Sequence, residues 1–194
     1  MCEDKRIRKT KSHLRQTLVS MLDEKPFEKI TVKELCTASE TSRITFYTHF
    51  SDKYDLAESV FSTFILHAQE NFRIRQATEN PSRDAVQSYC NLLDCILDLY
   101  YENYGFFRHT RPEESPYLNT ALFRYLLQYV GKMAQDESGS LSPRYSLEKW
   151  AGFILYGLWG FVNASSDDPA QTRAEARELL KNILTSDALA VPTP

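Results

Sequence analysis

Two capping signals eleven positions apart, at Thr31 and Ser42, constrain this chain more than any other feature in it. Thr31 and Glu34 stand at the spacing of a capping box, in which the threonine oxygen accepts the third helical amide and the glutamate accepts the threonine amide. Ile30 and Leu35 flank the box as a hydrophobic staple. Ser42 is placed to cap a second piece. The spacing therefore predicts two short helices, over 32–38 and 43–49, joined by a tight turn, with a third helix starting at Ser51, Asp52 and Lys53. Two short helices with so tight a turn match the helix-turn-helix, whose second helix lies in the DNA major groove. Arg43, Thr45, Tyr47, Thr48 and His49 are then its outward or groove-facing groups.

The remainder reads as helix, because apolar residues recur at helical spacing, period-2 alternation is not sustained, and glycines number only six. A helix from about 9 to 25 carries Leu14, Leu18, Met21 and Leu22 on one face. It ends at Lys25-Pro26, since a residue before proline is driven out of the helical region. Phe27, Ile30, Val32, Leu35, Cys36, Ile44, one of Phe46 and Tyr47, and Phe50 complete a small core. A long helix then runs through Leu56, Val60, Phe61, Phe64, Ile65 and Ala68 to the vicinity of Gln76. Asn80-Pro81-Ser82 breaks it, with Ser82 placed to cap a helix over about 82–101. A short element around 102–110 is interrupted by Gly105 and ends near Arg111-Pro112. Ser115-Pro116 opens a helix to about Gln135, Ser142-Pro143 or Ser146 opens the next, and Asp168-Pro169 opens the last. The expected fold is all-α with about nine helices. Residues 1–53 form a helix-turn-helix DNA-binding head, a long fourth helix joins it to a helical effector and dimerisation domain at 54–186, and 187–194 is a disordered tail.

Charge is unevenly distributed. Residues 1–53 balance at +3 and residues 54–194 at −6, which reads as a basic contact head on an acidic body. Lys5, Arg6, Arg8, Lys9 and Lys11 are either a solvated terminus or a basic arm for DNA phosphates, and with a helix-turn-helix following the arm is favoured. Cys2, Cys36, Cys90 and Cys95 show no disulfide framework and no CxxC pair; the last three sit among apolar helical residues as small buried thiols. The start is charged with no apolar stretch behind it, and the longest apolar run, 150–162, is too short and glycine-punctuated to span a membrane, so a cytoplasmic location is expected. No P-loop, GxSxG, HExxH or dinucleotide glycine fingerprint is present. The four histidines stand apart, so no enzyme activity, catalytic residue, metal or cofactor is expected.

Taken together, the segment 27–53, PFEKITVKELCTASETSRITFYTHFSDK, resembles the DNA-binding head of the TetR family of bacterial transcriptional regulators. The likeness rests on the first-helix pattern, ITVKELC, TFYTHF and SDKYDL. The body resembles the dihydroxyacetone-kinase-regulator branch of that family in YYENYGFF and LYGLWGFV. The chain departs from the family at Glu40, where glycine is usual, and at Thr41, where an apolar residue is usual. Glu40 must then bear a strained positive φ, or the turn takes another conformation. The resemblance implies that Tyr47 and His49 touch phosphates, that Arg43, Ile44 and Thr45 face base edges, and that Lys53 meets the backbone. Phe46 is then core. Thr31, Ser42 and Thr48 complete the DNA-contacting set.

In such families the last two long helices form a four-helix bundle with a second subunit. The implied interface here is Phe153, Tyr156, Gly157, Leu158, Phe161, Leu180, Ile183 and Leu184. Apolar groups from Trp150 to Phe161 cover nearly the whole helix circumference, which fits either a dimer or a central helix buried within one subunit. Tyr89, Tyr100, Tyr104, Phe107, Phe123 and Tyr125 are either an effector pocket or ordinary core. The expected function is a homodimeric regulator, a repressor, on a near-palindromic double-stranded operator, answering a small-molecule effector or a protein co-regulator. The alternative is a helical adaptor whose head no longer reads DNA, supported by Glu40, Thr41 and the net charge of −3.

Overall fold

The computed structural model describes residues 5–109, 114–137, 146–164 and 168–185. Cys2, Arg111-Pro112, Ser142-Pro143 and the expected tail at 187–194 lie outside the described residues, as does the side chain of Trp150. Among the described residues there are nine α-helices and no strand. They are α1 (Lys5–Leu22), α2 (Val32–Ala38), α3 (Arg43–His49), α4 (Lys53–Glu79), α5 (Ala85–Glu102), α6 (Tyr104–Arg108), α7 (Pro116–Glu137), α8 (Leu147–Ala164) and α9 (Pro169–Leu184). A single 3₁₀ turn, Phe27–Lys29, links α1 to α2.

The chain divides into two compact units. One comprises Met1–Phe64 with Asn103–Leu122, the other Ile65–Glu102 with Phe123–Pro194. In the first, Leu14, Leu18 and Leu22 from α1 are fully buried, as are Phe27, Ile30, Leu35 and Phe46. Phe106 of α6 sets its ring edge-on to Phe61 at 5.7 Å and to Phe64 at 5.3 Å. The first turn of α7 is tied to the same unit by polar and aromatic contacts. Ser115 Oγ donates to Glu28 Oε2 at 2.6 Å, and the Tyr117 hydroxyl donates to Glu58 Oε1 at 3.0 Å. The Tyr117 ring stacks on Phe27 and meets Tyr54 edge-on.

The second unit is centred on α5 and α9, where Leu93 and Leu97 pack on Ala176, Leu180 and Leu184. Beside that cluster lies an ion network. Asp94, whose side chain is 2% exposed, pairs with Arg75, Arg173 and Arg177, and Asp98 bonds Arg75 at 2.8 Å and Arg173 at 2.6 Å. Burial raises the thiols of Cys90 and Cys95, the latter to about 12, so both stay protonated and chemically quiet.

Several expectations are corrected. The helix expected from 9 begins at Lys5 and ends at Leu22, so the basic arm is helical in its described part. Ile44 is not core: it is 83% exposed, because Phe46 takes the buried side of α3. Ser82 does not cap α5. Asp84 does, its carboxylate accepting the Gln87 amide, after Arg83 turns the chain with φ 54°. Gly105 does not interrupt the short element; it lies within α6, where a Cβ would overlap the Asp23 carboxylate. Leu180 and Leu184 pack into this chain's own α5–α9 core.

Candidate DNA-binding surface

Both capping signals are built as the spacing requires. Thr31 Oγ1 accepts the Glu34 amide at 3.2 Å, and Glu34 Oε2 accepts the Thr31 amide at 2.9 Å. Lys25 Nζ donates to the other Glu34 oxygen at 2.6 Å. That bond, with the Thr31 hydroxyl and amide, holds the Glu34 carboxyl down to about 2. Ser42 Oγ accepts the Thr45 amide at 3.0 Å and starts α3.

Between them α2 ends in a Schellman motif. The Thr41 amide donates to Cys36 O at 2.9 Å and the Glu40 amide to Thr37 O at 3.3 Å. Glu40 occupies the position in that motif where glycine is favoured, with φ 48°. Of the two outcomes expected for this turn, the first holds: Glu40 carries its side chain in the left-handed region. Thr41 bonds Ser39 O through its hydroxyl and is half-buried.

With the turn closed, α3 presents one face inward and the rest outward. Phe46 is fully buried and Phe50 follows it, while Ile44 is 83% and Tyr47 55% exposed. Arg43 and Thr48 are exposed, and Thr45 and His49 half-buried. The Thr48 hydroxyl donates to Ile44 O at 2.8 Å, and Thr45 Oγ1 lies 2.8 Å from Ser42 Oγ.

Lys53 has a task that sequence reasoning missed. Its ammonium donates to Phe27 O at 2.9 Å, Glu28 O at 3.3 Å and Ile30 O at 2.9 Å, and lies 4.5 Å from the Phe27 ring centroid. Three ammonium protons meet three carbonyls, so the group expected on the DNA backbone clasps the 3₁₀ turn to the start of α4. Burial lowers its pKa, against the opposing pull of Glu28 and Glu34.

The basic residues of α1 line one open cleft with the helix-turn-helix. Lys5, Arg8, Lys9, Ser12, His13 and Gln16 share it with Thr41, in a volume of about 720 Å³. Lys5, Lys9 and His13 recur every four residues, a helical face the sequence displays once the helix is known to begin at Lys5. Arg6 and Lys11 are not among its lining residues.

Residues 16–60, which hold this arrangement, match the family profile of the bacterial regulatory proteins of the tetR family. That match covers the head alone. A search of curated protein sequences gives no match. Among solved structures, a protein of Syntrophomonas wolfei str. Goettingen described as a TetR-family transcriptional regulator superimposes with a TM-score of 0.75 at 14% identity, over 96% of this chain and 99% of its own. A transcriptional regulator of the TerR/AcrR family from Aquifex aeolicus VF5 gives 0.56 at 16%, over 90% and 99%. GusR of Salmonella enterica gives 0.51 at 19%, over 97% and 98%. At these identities the likeness is one of fold, and the chain has the TetR-type architecture of an N-terminal helix-turn-helix and a helical C-terminal region.

The six aromatics expected to line a pocket are divided between the two units. Phe107 is 3% exposed and packs on Phe106 and Phe64 in the first unit, where Tyr104 is 51% exposed. In the second unit Phe123 stacks on Tyr156 at 4.4 Å, and Phe123 and Tyr100 both meet Trp159 edge-on. Tyr89 packs against the α5–α9 core, and Tyr125 is half-buried beneath the Arg124 guanidinium. The residues expected at a subunit interface lie closer together. Phe153, Gly157, Leu158, Phe161, Leu180 and Ile183 line an apolar groove of about 140 Å³ with Leu179, which sequence reasoning left on the helix's own apolar face and which is 48% exposed. Among the described residues no helix is long and apolar enough to cross a membrane.

Proposed function

We propose that this chain is a homodimeric transcriptional repressor that binds a near-palindromic DNA operator. The observation that carries the reading is the outward face of α3, on a head of the tetR family, beside a basic cleft. In this reading 1–53 is the DNA-binding head and 54–186 the effector and dimerisation region. Arg43, Ile44 and Thr45 face bases, and Tyr47, His49 and the basic face of α1 meet phosphates. Thr31 and Ser42 serve by holding the two helices at their caps. The groove between α8 and α9 is the seat of a second copy, since Phe153 and Tyr156 are 63% and 58% exposed. Two heads are needed because one helix-turn-helix reads only one half-site. A small-molecule or protein effector on the body releases the operator by changing the separation of the heads, a coupling between two sites. Such a protein works in the cytoplasm.

Selection of duplexes by the full-length protein from a random pool tests the reading. An enriched near-palindrome is expected, and no enrichment would overturn it. Light scattering tests the dimer: Phe153→Glu should halve the mass, and an unchanged mass would remove that helix from the interface.

A further inference from the structure

The exposed ridge of α3 has its hydroxyls turned in and its methyls turned out. At 3.6 residues per turn, Ile44 and Thr48 lie within about 40° of each other and on the far side of the helix from Phe46. Ile44 is 83% exposed. The single Thr48 hydroxyl proton is engaged on Ile44 O at 2.8 Å, so the γ-methyl is the part left to project. Thr45 shows the same habit, with its hydroxyl held 2.8 Å from the capping Ser42 Oγ.

Resting on the DNA-binding reading above, we propose that α3 reads thymine methyl groups, with Ile44 and the Thr48 γ-methyl forming an apolar ridge against them. The major groove offers one apolar feature, the thymine C5-methyl; all its other markers are hydrogen-bond donors and acceptors. An isoleucine pressed on those polar edges would strip their water and return no hydrogen bond. Thr48, its proton already engaged, has none to give to guanine O6 or N7 or to adenine N7, and its oxygen is left only to accept. Each half-site therefore carries thymines at the steps that Ile44 and Thr48 meet. The Arg43 side chain, exposed on the flank of the ridge, is the α3 cation left for a guanine or a phosphate.

Thymine-to-uracil substitution in an enriched duplex deletes that methyl and nothing else. For the full-length protein, each contacted thymine should lose about three- to five-fold in affinity on conversion to uracil, the equivalent of burying one methyl-sized group. Ile44→Ala should bind the thymine and uracil duplexes equally at its step. Thr48→Ser, which keeps the hydroxyl and removes only the methyl, should abolish the preference at its own step. Both side chains are exposed, so an unchanged far-ultraviolet dichroism spectrum is expected. A uracil scan that is flat at every position of an enriched duplex overturns the methyl readout and leaves DNA binding standing. Full retention of the thymine preference by Ile44→Ala and Thr48→Ser overturns it equally. If no duplex is enriched, this inference and the reading beneath it fall together.

Discussion

Replacing Glu40 by glycine probes the turn on which the pose of α3 depends. Glu40 holds φ 48° at the close of α2, where its Cβ crowds the backbone. For an L-residue this region costs roughly 1–2 kcal/mol, which glycine does not incur. Glycine also loses more backbone freedom on folding, worth roughly 0.5–1 kcal/mol in the opposite direction. The net expectation is that Glu40→Gly stabilises the protein by about 0.5–1 kcal/mol, or about 1–4 °C in Tm for a chain of this size. Thermal denaturation followed at 222 nm gives the global value. Hydrogen exchange at the Thr41 amide, which bonds Cys36 O, gives the local one. Glu40→Ala is the control, since it removes the charge and keeps the Cβ, and its stability should stay within about 0.5 kcal/mol of the parent. If alanine stabilises as much as glycine, charge and not backbone strain is responsible. If glycine destabilises, the left-handed turn is not strained and the reasoning fails.

Lys53→Met leaves three carbonyls without their ammonium and should destabilise the protein by about 2–3 kcal/mol, read by urea denaturation. Its DNA affinity should fall with no change in the slope of log K against log salt, whereas a lost phosphate contact would lower that slope by about 0.9. Asp94→Ala removes the carboxylate that Arg177 bonds, leaves Arg173 paired with Asp98, and should cost about 2 kcal/mol, measured by chemical denaturation. Glu34, held at about 2 in the folded head against its usual 4.5, stabilises fully above pH 4.5 and progressively less as pH falls toward 2. Glu34→Gln should flatten the acid branch of the stability curve across that window, and an unchanged branch would dismiss the capping box as its origin.

What the sequence made legible is what local chemistry decides. The bounds of α2 and α3 follow from Thr31, Glu34 and Ser42, because a cap is a bond between neighbours in the chain. The anomaly at Glu40 was visible for the same reason, since a Schellman close needs a left-handed residue wherever it falls. The α5 start was misread because Asn80 organises the loop through three dimensions. Its side chain accepts the Asp84 amide at 2.8 Å and donates to Asp84 O and Ser88 Oγ at 2.9 Å, which moves the cap from Ser82 to Asp84. The clasp made by Lys53 is not legible because its partners lie 23 to 26 residues earlier. For Leu180 and Leu184, expected at a subunit interface, periodicity defines an apolar face and cannot say which surface it meets. The aromatics were illegible for that reason too: Phe107 as core and Tyr104 as surface differ only in where α6 is docked.

The same distinction explains why the head is not finished where its motif ends. A segment of about fifty residues buries too little surface to be stable with ease. The fully buried Phe27 and Phe61 both have ring partners contributed from far along the chain, Tyr117 and Phe106. Glu28 and Glu58 likewise take hydrogen bonds from Ser115 and Tyr117. The Asp23 carboxylate lies over Gly105 of α6, where a Cβ would displace it. Those contributions sit on the 3₁₀ turn and on α4, which are also what Lys53 clasps together. The support of α2 and α3 is therefore a joint product of residues before 64 and residues after 102. A perturbation at Tyr117 should reach the pose of α3 without touching any residue that faces DNA.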